Sequence, residues 1–284
     1  MIGSNRFTRP RHAPTGRGAA VGVLLGCLSL GVVAQARAEE LRAGPWRPLF
    51  DGRTLTGWTP KVAKHPAGVN YRQTFVVADG AIRVSYAGYD KLDGQFGHLF
   101  YKTPFKAYRL RLTYRFLTEG GLTDTPSWAR SNSGIMFHSQ SPESMTVEQP
   151  FPVSVEFQLL GKDGNAPRPT GAVCTPGITI TFDGLKAKEH CTPSANAPTI
   201  ANGTWTKVEL EVWPNGEVFQ KIAGLVVHHY AGLTLDPDDT VAGGAKPYIL
   251  ARGAQPVTEG YIALQSEGHP IEFKEIEIQE LSAR

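Results

Sequence analysis

Short segments in which apolar and polar residues alternate one for one recur along this chain. That period restricts them to half-buried β-strands. The clearest is Val153-Ser154-Val155-Glu156-Phe157-Gln158-Leu159, which turns Val153, Val155, Phe157 and Leu159 to a core and Glu156 and Gln158 to the opposite face. Gly134-Ile135-Met136-Phe137-His138 reads the same way, with Ile135 and Phe137 inward. In Tyr261-Ile262-Ala263-Leu264-Gln265, Ile262 and Leu264 point inward. If these three strands share one sheet, its non-core face carries Glu156, Gln158, His138 and Gln265, and that face is the candidate site.

The same signal continues elsewhere. Phe75, Val77, Ile82 and Val84 flank Asp79-Gly80, a hairpin signature, and Tyr108, Leu110, Leu112, Tyr114 and Phe116 alternate with Arg109, Arg111 and Arg115. The arginine row reads as an ordinary solvated face. Leu55 and Trp58 read as core anchors. Ile271 and Phe273 stand in one phase and Ile276 and Ile278 in the other, which predicts a β-bulge near Lys274 and Glu275. Residues 119–131 and 139–152 read as loops able to overhang the polar face. Residues 161–204 form a long Pro- and Gly-rich excursion. No stretch carries a long amphipathic helical pattern. The expected fold is therefore all-β, a single-domain two-sheet sandwich or jelly roll over residues 49–284, preceded by a loose leader at 39–48.

Residues 1–38 differ from the rest. They hold five arginines and no acid, an apolar run from Ala19 to Ala34, and Ala36-Arg37-Ala38 as a small-x-small cleavage site. This predicts a signal peptide cleaved before Glu39 and a periplasmic or secreted protein, with no transmembrane segment after cleavage. Lipid anchoring at Cys27 is the less favoured alternative. Without the segment, 24 basic side chains face 26 acidic ones, scattered along the chain, which argues against nucleic acid as a partner. Cys174 and Cys191 remain as an even pair and are expected to form a disulfide.

Phosphate loops, Gly-x-Ser-x-Gly elbows, His-Glu-x-x-His and multi-cysteine metal patterns are all missing. The Glu156 strand also lacks the second carboxylate of a two-carboxylate glycosidase strand. Leu49-Phe50-Asp51-Gly52 through Trp58, Asn132-Ser133-Gly134-Ile135, Val155-Glu156-Phe157-Gln158 and Leu264-Gln265-Ser266-Glu267 through Phe273 together resemble the 3-keto-disaccharide hydrolase family. The resemblance runs from about Trp46 to Leu281. It implies a concanavalin A-like jelly roll, export, and action on glycosides whose glucose unit is oxidised at carbon 3. The chain departs from the common pattern at His138, Gly161 and Lys274, where the family often has Arg, Asp and Arg.

Such a substrate makes sparse carboxylates intelligible. A ketone at carbon 3 acidifies the hydrogen on carbon 2, so the group on carbon 1 can leave by elimination, followed by addition of water. One base, one acid and a donor for the enolate oxygen suffice. On this reading Glu156 is the base and His138 the acid or electrophilic donor. Asn132, Gln158, Gln265, Glu267 and His269 are expected sugar contacts. The cofactor is left open, with a divalent metal held by His138, Glu156 and Glu267 as one arrangement. The alternative is a non-catalytic carbohydrate-binding domain, since fold does not fix function.

Overall fold

The computed structural model describes residues 41–283. The predicted signal peptide, its cleavage site and Cys27 lie outside the described residues. The chain folds as two antiparallel sheets packed face to face, the all-β jelly-roll sandwich expected from the alternation. One sheet has seven strands, ordered Cys191–Thr192, Val173–Cys174, Val155–Leu160, Asn132–Ser139, Tyr261–Ser266, Gly97–Tyr101 and Trp58–Val62. The three strands singled out by their pattern are thus consecutive neighbours in its middle.

The second sheet has eleven strands and is built around Thr206–Val212, Tyr108–Phe116 and Ile271–Ser282. Its inward residues, among them Tyr108, Leu110, Leu112, Tyr114, Ile271, Phe273, Ile276 and Ile278, meet Ile135, Phe137, Phe157, Leu159, Ile262 and Leu264 in one core. Trp58 joins that core and donates from its indole N–H to the Leu49 carbonyl at 2.9 Å. The expected bulge is present: the register shifts between Lys274 and Glu277, and Glu275 has φ 54°. Asp79 and Gly80 both take positive φ, which matches the turn to the right-handed twist of its strands.

On the outer face of this sheet the arginine row is neutralised by acids. Arg115 pairs with Glu272 at 2.6 Å, Arg111 with Glu277 at 2.8 Å and Arg109 with Glu211 at 3.3 Å. The residues read as a loose leader are instead partly ordered into the sheet, because Arg42–Ala43 and Arg47–Pro48 both pair with the last strand. A backbone that can reach a free sheet edge satisfies its N–H and C=O groups there.

The Pro- and Gly-rich excursion is folded, with short strands at Val173–Cys174, Ile178–Phe182, Leu185–Lys186 and Cys191–Thr192. Cys174 and Cys191 are bonded, as expected, and face one another across the edge of the seven-stranded sheet. Cys174 is in turn paired with Glu156 on its other side.

Candidate active site

The site is assembled by register. Met136 stands opposite Glu156 and Gly134 opposite Gln158, while Gln265 stands opposite His98 and His98 opposite Lys61. Because Leu264 pairs with Ile135, Gln265 falls beside Gly134. A row of polar residues therefore crosses the sheet from Gln158 over Gly134 to Gln265, His98 and Lys61.

Gly134 sets the position of Glu156. A Cβ at residue 134 would lie 2.3 Å from Glu156 Oε1, so the carboxyl lies across the glycine toward the centre of the row. Glu267 follows the Gln265 strand by one residue past its end. Gly268, at φ 98°, then turns the chain, and its N–H donates to the Tyr86 hydroxyl.

Two loops cover this face, as expected for 119–131 and 139–152. In the second, Gln140 Oε1 accepts from Gln149 Nε2 at 2.9 Å and from the Val153 N–H at 2.8 Å, while Gln149 Nε2 also donates to the Phe151 carbonyl. Lys61 ties the loop to the sheet by donating to the Val147 carbonyl at 3.1 Å. Phe151 is thereby held over the sheet, with ring centroids 5.1 Å from Phe96 and 6.1 Å from His98. In the first loop, Trp128 packs on Phe96 at 5.5 Å. The Trp128 carbonyl accepts from Asn132 Nδ2 and from Arg168, both at 3.1 Å. The Arg168 guanidinium also donates to the Ser131 and Gly161 carbonyls, so it is fixed by backbone.

The polar atoms beneath these loops are buried and lack partners in the protein. They are Glu156 Oε1, Glu267 Oε2, Asn132 Oδ1, both side-chain atoms of the Gln265 amide and both ring nitrogens of His98. Buried polar groups are ordinarily paired, so such a cluster marks a place built to meet something else. Burial raises the Glu156 carboxyl from 4.5 to about 8. Burial raises Glu267 well above its usual range as well, followed by repulsion from Glu156, with Arg168 acting the other way. Two carboxyls that repel one another in a dry site give up their protons one at a time, so one can stay protonated while the other ionises. Burial pushes the His98 imidazole down to about 3, with Lys61 adding to the effect, so it is neutral.

Residues 45–279 match the sequence model of the 3-keto-alpha-glucoside-1,2-lyase-like domain. The chain belongs to this family. No functionally curated protein matches it. Among solved structures, a Parabacteroides distasonis protein described as a candidate glycosyl hydrolase is 17% identical, with a TM-score of 0.50 over 84% of this chain and 94% of that one. A Bacillus licheniformis β-glucanase is 12% identical, with a TM-score of 0.44 over 86% and 99%. A carbohydrate-binding module from Bacillus subtilis is 9% identical, with a TM-score of 0.40 over 80% and 96%. At such identities the likeness is one of fold.

In this member of the 3-keto-alpha-glucoside-1,2-lyase-like family, the structure unites some expected residues and separates others. Glu156, Gln265, Glu267 and Asn132 come together, with Gln158 half-buried at the margin. His138 does not join them. The register slips between Tyr261 and Ala263, His138 takes φ 46°, and the Gly260 backbone presses so closely that a Cβ there would lie 2.3 Å from the His138 carbonyl carbon. This bulge breaks the alternation. It sends His138 to a separate cavity of about 610 Å³, lined also by Lys106, Trp213, Leu233, Val257 and Leu281.

His269 is also displaced. Its Nε2 is 2.8 Å from the Leu117 carbonyl, and it lines an adjoining polar cavity of about 470 Å³ with Arg130, Lys162, Asp163 and Asn202. Among the described residues no group of three or more His, Cys, Asp or Glu side chains is placed to hold a metal ion, so the His138, Glu156 and Glu267 set does not form. His98 and Arg168 are the site residues that pattern reading missed. His98 shares its face of Gly97–Tyr101 with Phe100, and this short, wholly buried strand carries no alternation that could mark it.

Proposed function

We propose that this protein is an exported enzyme that cleaves glycosides bearing a ketone at carbon 3, with Glu156 and Glu267 as its acid–base pair. The observation that carries the proposal is the burial of these two carboxyls, unpartnered and mutually repelling, beneath two loops on a carbohydrate-fold sheet. Membership of the 3-keto-alpha-glucoside-1,2-lyase-like family supports the substrate class. The disulfide supports an oxidising compartment. Among the described residues no helix is long and apolar enough to cross a membrane.

In the proposed cycle, the ionised form of Glu156, whose share grows as pH rises toward about 8, takes the proton from carbon 2, and the electron pair moves toward the carbon 3 ketone as an enolate. Collapse of the enolate breaks the bond from carbon 1 to the glycosidic oxygen, and Glu267 gives its proton to the departing alcohol. Water then attacks carbon 1 while Glu267 accepts its proton, and Glu156 returns the first proton to carbon 2. Both carboxyls end as they began, and one water is consumed. The neutral His98 ring, the Gln265 amide and Asn132 supply fixed hydrogen-bonding groups in a dry setting, where they act more strongly than in water.

The test is cleavage of a 3-keto disaccharide and of its unoxidised counterpart by the parent and by Glu156→Gln. Gln keeps the size of Glu but cannot accept the proton, so turnover of the oxidised sugar should fall about 10²–10⁴-fold while its binding is largely kept. Equal cleavage of both sugars, or parental turnover by a folded Glu156→Gln protein, rejects the proposal. Binding without turnover in every form would make this a carbohydrate-binding domain.

A further inference from the structure

Trp128, in the first covering loop, stays 52% exposed although Phe96, Asn132 and Arg168 hold it against the site. It sits in the short turn Ser127–Ala129, directly before the strand that supplies Asn132. Its carbonyl is held by the Asn132 amide and the Arg168 guanidinium. One side of its ring is backed by Phe96, at a tilt of 39°, and Phe96 is stacked on Phe151, which meets His98. An aromatic series thus runs from the buried row of polar groups out to solvent and ends in a free indole surface. Counting on from the Leu264–Ile135 pair, Glu267 falls beside Asn132, whose amide holds the Trp128 carbonyl, which places this surface on the acid's side of the carboxyl pair.

The geometry points to the free indole surface of Trp128 as the platform for the leaving group, and to a preference for glycosides whose leaving group presents a flat ring, a second pyranose or an aromatic ring, over those with a small alkyl group. The inference rests on the proposed cleavage at Glu156 and Glu267, because the acid defines where the leaving group departs. A pyranose ring offers an apolar face of C–H groups and a rim of hydroxyls. Stacked on a fixed indole, it covers apolar surface while the rim stays wet. A platform held by backbone hydrogen bonds costs little further ordering when the ligand arrives. A methyl leaving group is too small to reach it.

The experiment compares the parent, Trp128→Ala and Trp128→Phe on a 3-keto disaccharide and on methyl 3-keto-glucoside. The ratio of kcat/KM for the disaccharide to that for the methyl glycoside should fall about tenfold in Trp128→Ala, equivalent to 1.4 kcal/mol of lost stacking, and stay within about threefold of the parent in Trp128→Phe. An unchanged ratio, with both substrates slowed alike or neither slowed, shows that Trp128 only shields Phe96 and overturns the inference. A second measurement does not need turnover: titration of Glu156→Gln, with and without Trp128→Ala, against the 3-keto disaccharide by calorimetry. About tenfold weaker binding in the double variant supports the platform, and equal affinities overturn it. If the parent cleaves neither 3-keto substrate, the cleavage proposal fails while this titration still decides the role of Trp128.

Discussion

Glu156→Gln should change stability in a pH-dependent way that no local packing loss can imitate. The folded protein holds the Glu156 proton up to about 8, whereas an unfolded chain releases it near 4.5. A group raised in the folded state contributes stability that is fully present below its unfolded pKa and is lost as pH rises through its folded pKa. Each unit of difference is worth about 1.4 kcal/mol, so the parent should lose up to about 4 kcal/mol between pH 4.5 and 8 through this carboxyl. Gln has no proton to lose.

The variant should therefore match or trail the parent near pH 4.5 and gain on it steadily toward pH 8. For a chain of this size 1 kcal/mol moves Tm by about 2–4 °C, which makes the relative gain about 10 °C. Removal of Glu156 also relieves the repulsion on Glu267, which acts in the same direction. Thermal unfolding of both proteins at half-unit steps from pH 4.5 to 9 measures it. A gap between the two Tm values that is flat across the range would show that Glu156 is not raised, and the acid–base argument would fall with it.

Gly134→Ala places a methyl where the Glu156 carboxyl lies, so turnover of a 3-keto disaccharide should drop at least tenfold while circular dichroism shows an intact sandwich; parental activity would refute the packing argument. Reduction of Cys174–Cys191 should lower stability by about 3 kcal/mol, read as a lower urea midpoint, and should also cut activity, since Cys174 flanks Glu156. His138→Asn keeps a residue that tolerates positive φ, and its turnover should stay within about threefold of the parent, because His138 faces a different cavity. A hundredfold loss in that variant would return His138 to the chemistry.

Alternation carried the reading a long way because a period of two leaves little freedom once one face is apolar. Val155, Phe157, Ile135, Ile262 and Leu264 all lie in the core, which puts Glu156 and Gln265 on the opposite face. The same logic failed at His138, two residues after Met136, because the strand there gains a residue relative to its neighbour. Nothing local announces that slip. It coincides with Gly260, more than a hundred positions away, whose bare backbone closes on His138. Arg168 was equally hidden, since three of its four carbonyl partners, Trp128, Arg130 and Ser131, come from one distant loop and the fourth from Gly161. The Glu156–Glu267 pair joins two strands that are not adjacent, so no single-strand pattern could contain it.

The borders of the seven-stranded sheet differ from its middle in a way that bears on how the protein behaves at high concentration. One border is Cys191–Thr192, only two residues long and covalently tied to its neighbour. The other is Trp58–Val62, which carries Pro60, a residue with no N–H to offer. Unpaired strand edges recruit strands from other molecules, and short, proline-bearing edges resist this. Fibre-like association through this sheet is therefore blocked at both ends in the oxidised protein. Reduction frees the shorter border first, so thiol-treated samples should form thioflavin-positive aggregates that the oxidised protein does not.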